Sequence, residues 1–150
     1  MNIRKQWAFT LVELIIVIIL LTIVSLYATS RYIGVGSFSA PVIQDSIISV
    51  ARQVQLNRMQ SNTTTIRDEF ILSINANCFG SILGCADQQG RSDWVSVDDV
   101  TFSTSVSEIR FDLLGNAIGL SDVEIKILAA SSQASVWICT NGLISKSGCH

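Results

Sequence analysis

Two hydrophobic patterns divide the first 60 residues. From Phe9 to about Ala28 nearly every position is apolar, beginning Phe9-Thr10-Leu11-Val12-Glu13-Leu14-Ile15-Ile16 and continuing without a break through Leu21. Roughly 20 such residues span about 30 Å as a helix, enough to cross the hydrocarbon core of a bilayer. A transmembrane helix is therefore expected over 9–30, with Tyr27 and Tyr32 at the interface and Arg31 reaching the headgroups. Gly34 and Gly36 weaken the helix and Pro41 removes a backbone donor, which predicts a bend or short unwound stretch between Gly34 and Pro41. Beyond it Val42, Ile43, Ile47, Val50, Ala51 and Val54 recur every three or four residues, with Gln44, Asp45, Arg52, Gln53 and Gln55 between them. That spacing predicts an amphipathic helix ending near Gln60, packed on a soluble domain by its apolar stripe.

The rest of the chain changes period. Short strands are expected in Ile66 to Ile74, Trp94 to Val97, Ser107 to Asp112, Val123 to Ile127 and Ser135 to Cys139. Leu114-Gly115-Asn116-Ala117 supplies a turn, and Asn141-Gly142 a hairpin turn into Leu143-Ile144. The expected fold class is α+β, a long N-terminal helix packed on a mainly antiparallel sheet, helix stripe and sheet face sharing one core.

Glu13 is the anomaly in the apolar run. An unpaired carboxylate costs several kcal/mol in hydrocarbon, so it needs a partner. The leader Met1-Asn2-Ile3-Arg4-Lys5-Gln6-Trp7-Ala8 places two cations before the apolar run, which favours a cytoplasmic N-terminus. A cut between Ala8 and Phe9 would leave the Phe9 α-amino group at the membrane edge, where it could meet Glu13 of a neighbouring copy. One such pair satisfies two groups and fixes register between helices packed side by side. An ordinary secretory signal would need a small-residue cleavage site near Leu26-Tyr27-Ala28, where no Ala-x-Ala occurs, and a plain anchor leaves Glu13 unexplained.

The segment Lys5-Gln6-Trp7-Ala8-Phe9-Thr10-Leu11-Val12-Glu13-Leu14-Ile15 resembles the class III signal of type IV pilins and type II secretion pseudopilins. The resemblance implies cleavage by prepilin peptidase between Ala8 and Phe9, N-methylation of Phe9, and subunit assembly through Phe9 and Glu13. Ala8 stands where Gly is usual in that family. Ile109-Arg110-Phe111-Asp112-Leu113-Leu114-Gly115-Asn116 resembles the strand-turn signature of the GspH/FimT group of minor pilins and pseudopilins. The ending from Cys139 to Cys149 looks like the disulfide-bounded terminal loop of many type IV pilins, which favours a pilus over a pseudopilus. Together these features are most similar to minor pilins of the mannose-sensitive haemagglutinin (MSHA) type. They imply a cleaved leader over 1–8, a membrane and filament-core helix over 9–30, a bend and amphipathic helix over 31–60, and a β-rich pilin head over 61–150.

The implied function is a structural minor pilin supporting filament assembly and surface attachment. A type II secretion pseudopilin and a DNA-binding or adhesive minor pilin are the alternatives. The implied partners are other pilin subunits, prepilin peptidase, the inner-membrane pilus assembly machinery and membrane lipid. The precursor would sit in the bacterial inner membrane with its head in the periplasm, and the assembled subunit in an extracellular pilus.

Composition adds constraints. Lys and Arg number 10 and Asp and Glu 12, a net charge of −2; removing Arg4 and Lys5 with the leader leaves 8 against 12. That balance offers no strong attraction for nucleic acid, and the DNA reading rests only on Arg91 and Arg110 near Trp94 and Phe111. Cys78, Cys85, Cys139 and Cys149 all lie beyond the span, on the side placed outside the cytoplasm, where disulfides form. Three pairings are formally open; Cys78–Cys85 and Cys139–Cys149 each close a short polar, Gly-containing segment and are favoured. No close Cys-x-x-Cys pair suggests zinc, and no metal or cofactor is expected. The single histidine, His150, gives the serines no triad partner, and Asp68-Glu69 and Asp98-Asp99 read as solvated charges, so no catalytic site is expected. Trp94, Phe102, Phe111 and Trp137 fall in strand-like runs and are expected in the core.

Overall fold

The computed structural model describes residues 10–32 and 40–150, the first stretch with side chains as far as Ser25. The chain divides into two units, Met1–Ser37 and Phe38–His150. In the first, the apolar run forms helix α1, Leu11–Tyr32. Among the described residues no helix is long and apolar enough to cross a membrane; the described side chains of α1 stop at Ser25, while its backbone continues to Tyr32. The leader, Phe9 and most of the expected bend lie outside the described residues.

The second unit opens with α2, Ala40–Gln60. Pro41 is not a breaker here. It sits in the first turn, where a missing N–H leaves no helical bond unmade. The Ala40 N–H, which has no partner within the helix, donates to Ser132 Oγ at 2.9 Å. The expected stripe is buried at Ile43, Ile47, Val50, Ala51 and Val54, but Val42 is 57% exposed. At roughly 100° per residue Val42 lies well round the helix from the line through Ile43, Ile47 and Val54. Ile48 and Arg58 are buried as well.

The remaining chain builds two four-stranded antiparallel sheets where one was expected. Asp68–Phe70 forms a 3₁₀ turn, so the strand expected from Ile66 begins only at β1, Ile71–Asn75. There follow β2 (Cys78–Ser81), α3 (Ile82–Ala86), β3 (Trp94–Val95), β4 (Val100–Thr104) and β5 (Glu108–Arg110). After these come β6 (Val123–Ala129), β7 (Ser132–Ile138) and β8 (Ile144–Ser145). The first sheet runs β3-β2-β1-β5 and the second β4-β6-β7-β8. They meet where the Phe102 N–H donates to Ala76 O at 3.0 Å and the Phe79 and Phe102 rings lie 6.0 Å apart.

One core serves both sheets and the inner face of α2. Ile43, Ile47 and Val54 meet Leu72 and Phe79 of the first sheet, and Ile125, Ile127, Val136 and Ile138 of the second. Burying each such side chain contributes about 1.5–3 kcal/mol. Alternation along β6 puts Val123, Ile125 and Ile127 inward and Lys126 outward, as period two requires. Asp99 enters β4 with φ of 62°, a left-handed conformation that Asp tolerates at a turn.

Candidate functional site

The described part of α1 begins with a local cap. The Glu13 N–H donates to Thr10 Oγ1 at 3.2 Å, and the Leu14 N–H to Thr10 O at 3.2 Å. Thr10-Leu11-Val12-Glu13 thus has the Thr-x-x-Glu spacing that starts a helix, and the acid sits in the first turn, where the helix dipole favours negative charge. Every large apolar side chain from Leu11 to Val24 is at least 43% exposed, on all sides of the helix. A helix apolar all round is characteristic of one buried in a protein core or in a membrane. Glu13 is exposed and joins no ion pair among the described residues. Ala8 and Phe9 lie outside the described residues, so the expected Phe9–Glu13 pairing has no geometry here.

The head is tied together at the C-terminal half of α2. Gln55 Nε2 donates to Gly115 O at 2.8 Å and to Gly142 O at 2.7 Å, so one amide clamps the turn after β5 to the turn after β7. Asp112 organises the first turn. Its Oδ1 accepts the Leu114 N–H at 2.9 Å and the Asn116 N–H at 2.8 Å, and its Oδ2 the Asn116 side-chain amide at 2.9 Å. Asn116 first, with the backbone N–H groups, holds the Asp112 carboxyl below its ordinary value. Gly115, with φ of 88°, leaves room for Gln55 and Met59.

The second turn is the Asn141-Gly142 hairpin, where the Gly142 N–H donates to Cys139 O at 2.9 Å. The Ala117 N–H donates to Thr140 O at 3.1 Å, a second link between the turns. A disulfide joins Cys139 to Cys149, and Lys146 in the loop it closes reaches Asp45 of α2 at 2.6 Å. Arg52 adds a bond to Ile144 O at 3.3 Å.

Two buried polar centres hold the rest. Arg58 is 4% exposed and satisfied without a carboxylate: Nε donates to Phe111 O at 3.3 Å, and Nη1 to Thr63 O at 2.9 Å and Ser61 Oγ at 3.0 Å. Its guanidinium also lies 5.9 Å from the centre of the Phe70 ring. Asp93, 3% exposed, accepts two bonds from Arg91 at 2.9 and 2.6 Å and one from Ser81 Oγ at 2.6 Å. Burial pushes the Asp93 carboxyl up, but the bonds from Arg91 and Ser81 outweigh it and hold it below its ordinary value. Ser81 caps α3 by accepting the Gly84 N–H at 2.8 Å. The Cys78–Cys85 disulfide closes this strand-to-helix corner.

A family model described as the prokaryotic N-terminal methylation motif matches residues 3–29. The chain matches none of the curated proteins by sequence. The type IV minor pilin FimU of Pseudomonas aeruginosa, in one crystal form, superposes with a TM-score of 0.52 at 9% identity, over 73% of this chain and 88% of FimU. A second crystal form gives 0.44 at 12% identity, over 70% and 92%. The first of these decides the architecture. This is the type IV pilin fold, carried behind an N-terminal methylation motif.

Within that pilin fold the residues singled out from sequence fare differently. Arg91 is bound to Asp93, and Phe111 is fully buried, so neither offers an open stacking and charge platform. Arg110 is exposed but faces Glu108 at 3.5 Å. Cys78–Cys85 closes not a polar loop but β2 and α3, with Phe79 fully buried between the cysteines. Asp122 lies close to Cys139 and Cys149, whose sulfurs are already bonded to each other and are not thiolate ligands.

Three polar residues of the head escaped the sequence reading. Arg58 looks like a cation at a helix C-terminus, and its acceptors, being mostly backbone carbonyls, leave no mark in the sequence. Asp93 lies in a polar loop without periodicity. Gln55 reads only as one of the polar positions between the stripe residues; its spacing gives no hint of the two turns above it.

Proposed function

We propose that this chain is a minor subunit of a type IV pilus of the MSHA-like kind, supporting filament assembly and surface attachment. In this reading prepilin peptidase cuts between Ala8 and Phe9, and Phe9 is N-methylated. The apolar helix then holds the precursor in the inner membrane with the head in the periplasm. On extraction by the inner-membrane assembly machinery it packs against the helices of other pilin subunits, and Glu13 of one copy meets the Phe9 amino group of another. The role is structural rather than enzymatic.

The observation carrying this reading is the apolar face of α1. Twelve large apolar side chains from Leu11 to Val24 are exposed, with one carboxylate at their start. Lipid and then neighbouring helices cover the apolar residues; an amino group in the same layer satisfies the acid. Support also comes from the methylation motif on this helix and the pilin fold of the head.

Intact-mass and N-terminal analysis of protein from membranes and from sheared surface filaments tests the proposal. A product beginning at methylated Phe9 in the filaments is expected. The same product confined to the envelope would replace the pilus with a type II secretion pseudopilus. Retention of residues 1–8 would overturn the processing scheme.

A further inference from the structure

Strand alternation sets Trp137 apart from its neighbours. In Ser135-Val136-Trp137-Ile138, Val136 and Ile138 are fully buried, so Trp137 faces the opposite side of the sheet, half-buried instead of in the core expected for it. Trp137 pairs with Glu124 on β6, and Lys126 pairs with Ser135 on β7 and Ser103 on β4. Directly opposed residues share a face. Trp137, Glu124, Lys126 and Ser103, together with Thr104, Ser105 and Asp122, line an open groove of about 350 Å³ on the side of the sheet away from α2.

The groove has unused hydrogen-bonding capacity. Among the described residues no hydrogen bond reaches the Trp137 indole N–H. Glu124 Oε1 accepts from Ser135 Oγ at 2.7 Å, while Oε2 has only Lys126 Nζ at 4.0 Å. Asp122 Oδ1 accepts the Thr140 N–H at 2.9 Å, leaving its second oxygen open. One flat aromatic platform is thus ringed by two carboxylates, an ammonium and hydroxyls.

That lining selects among ligands. A protein partner is held by an apolar core within a polar rim, and here Trp137 is the one apolar side chain in the groove. An anionic ligand, nucleic acid included, would meet two carboxylates against one ammonium. A neutral sugar fits both demands: the C–H face of a pyranose covers the indole, its hydroxyls donate to Glu124 and Asp122, and Lys126 donates to a ring or hydroxyl oxygen. The geometry points to a binding groove for a neutral saccharide centred on Trp137. It does not depend on how the chain enters a filament.

The test uses the intact chain in detergent micelles, with indole N–H signals followed by NMR and Trp137 assigned by its loss in Trp137→Phe. The methyl glycosides of glucose, galactose and N-acetylglucosamine are titrated to about 20 mM, a range that captures millimolar binding. A saturable shift of the Trp137 signal, with Trp94 unmoved, is expected. Glu124→Ala should weaken it about tenfold with the thermal unfolding of the head unchanged. No movement of Trp137 with any of the three sugars would overturn the proposal. So would undiminished binding in folded Trp137→Ala, or a response confined to N-acetylneuraminic acid. Movement only on addition of other pilin subunits would make this face a subunit contact instead.

Discussion

Helices α1 and α2 are nearly the same length, 22 and 21 residues, and solve opposite problems. Every described side chain of α1 is exposed, whereas α2 buries eight residues and sends Gln44, Arg52, Gln55 and Arg58 to acceptors elsewhere in the head. The second helix is satisfied by its own domain. Within its own unit the first leaves its described apolar side chains exposed, so in the proposed reading lipid or other chains cover them. If α1 serves assembly as proposed, changes in the two helices should have separable effects.

The sharpest test of that separation is Glu13→Ala. It removes the acid and leaves every residue of the head in place, so the head should unfold at the same temperature while incorporation into filaments is lost. Thermal unfolding followed by circular dichroism, set against immunoblots of sheared filaments, gives both readings. Normal incorporation would remove Glu13 from assembly; a destabilised head would break the separation itself.

The converse change lies in α2. Arg58→Met keeps an unbranched apolar stem but leaves the buried Phe111 O and the part-buried Thr63 O without their donor. A loss of about 2–4 kcal/mol is expected, read by urea unfolding. Any assembly defect should then scale with the unfolded fraction. Full stability would mean that water replaces the guanidinium at little cost.

The legibility of each region follows from the same contrast. Structure encoded by period was readable: α2 from Ile43 to Gln60, β6 from Val123 to Ile127, and the turns at Gly115 and Asn141-Gly142. The cap at Thr10 and Glu13 lies in the segment whose motif also carried the assembly reading. What escaped depends on distant backbone. β2 was missed because Gly80 weakens the strand pattern; it is glycine because Trp94 of β3 crosses so closely that a Cβ would strike its backbone. Two sheets stand where one was expected because the period of a strand does not say which neighbour it pairs with: β5 returns to β1, while β4 joins β6. Trp137 was misplaced because aromatic character outweighed the alternation that turns it outward.

A smaller effect is expected at Asp93, which holds the strand-to-helix corner rather than the helix. Its folded carboxyl lies below its unfolded value. The stabilisation is therefore full above the ordinary carboxylate value near pH 4 and is lost as pH falls through the lower folded value. Asp93→Asn should cost about 1–3 kcal/mol at pH 7, Arg91 being partly exposed to solvent. The gap from the unmodified chain should close as pH drops below about 4. A gap constant with pH would assign the cost to packing and not to the charge pair.

The mildest change probes how far α2 reaches beyond its core. Gln55 binds two carbonyl oxygens through one nitrogen, so Gln55→Ala should cost about 1 kcal/mol, with water able to reach part of the site. Gln55→Glu is the more telling variant. It keeps the shape but sets a carboxylate, which can only accept when ionised, against Gly115 O and Gly142 O. It should therefore destabilise more than alanine at pH 7, with the difference narrowing in acid as the carboxyl gains a proton to donate. Amide exchange at Ala117 and Gly142, whose N–H groups bond to Thr140 O and Cys139 O, would locate the effect in the two turns. If Glu and Ala behaved alike, the turns would be held by the Ala117 bond and the Cys139–Cys149 disulfide, and α2 would act through its buried face and the ties from Gln44, Asp45 and Arg52.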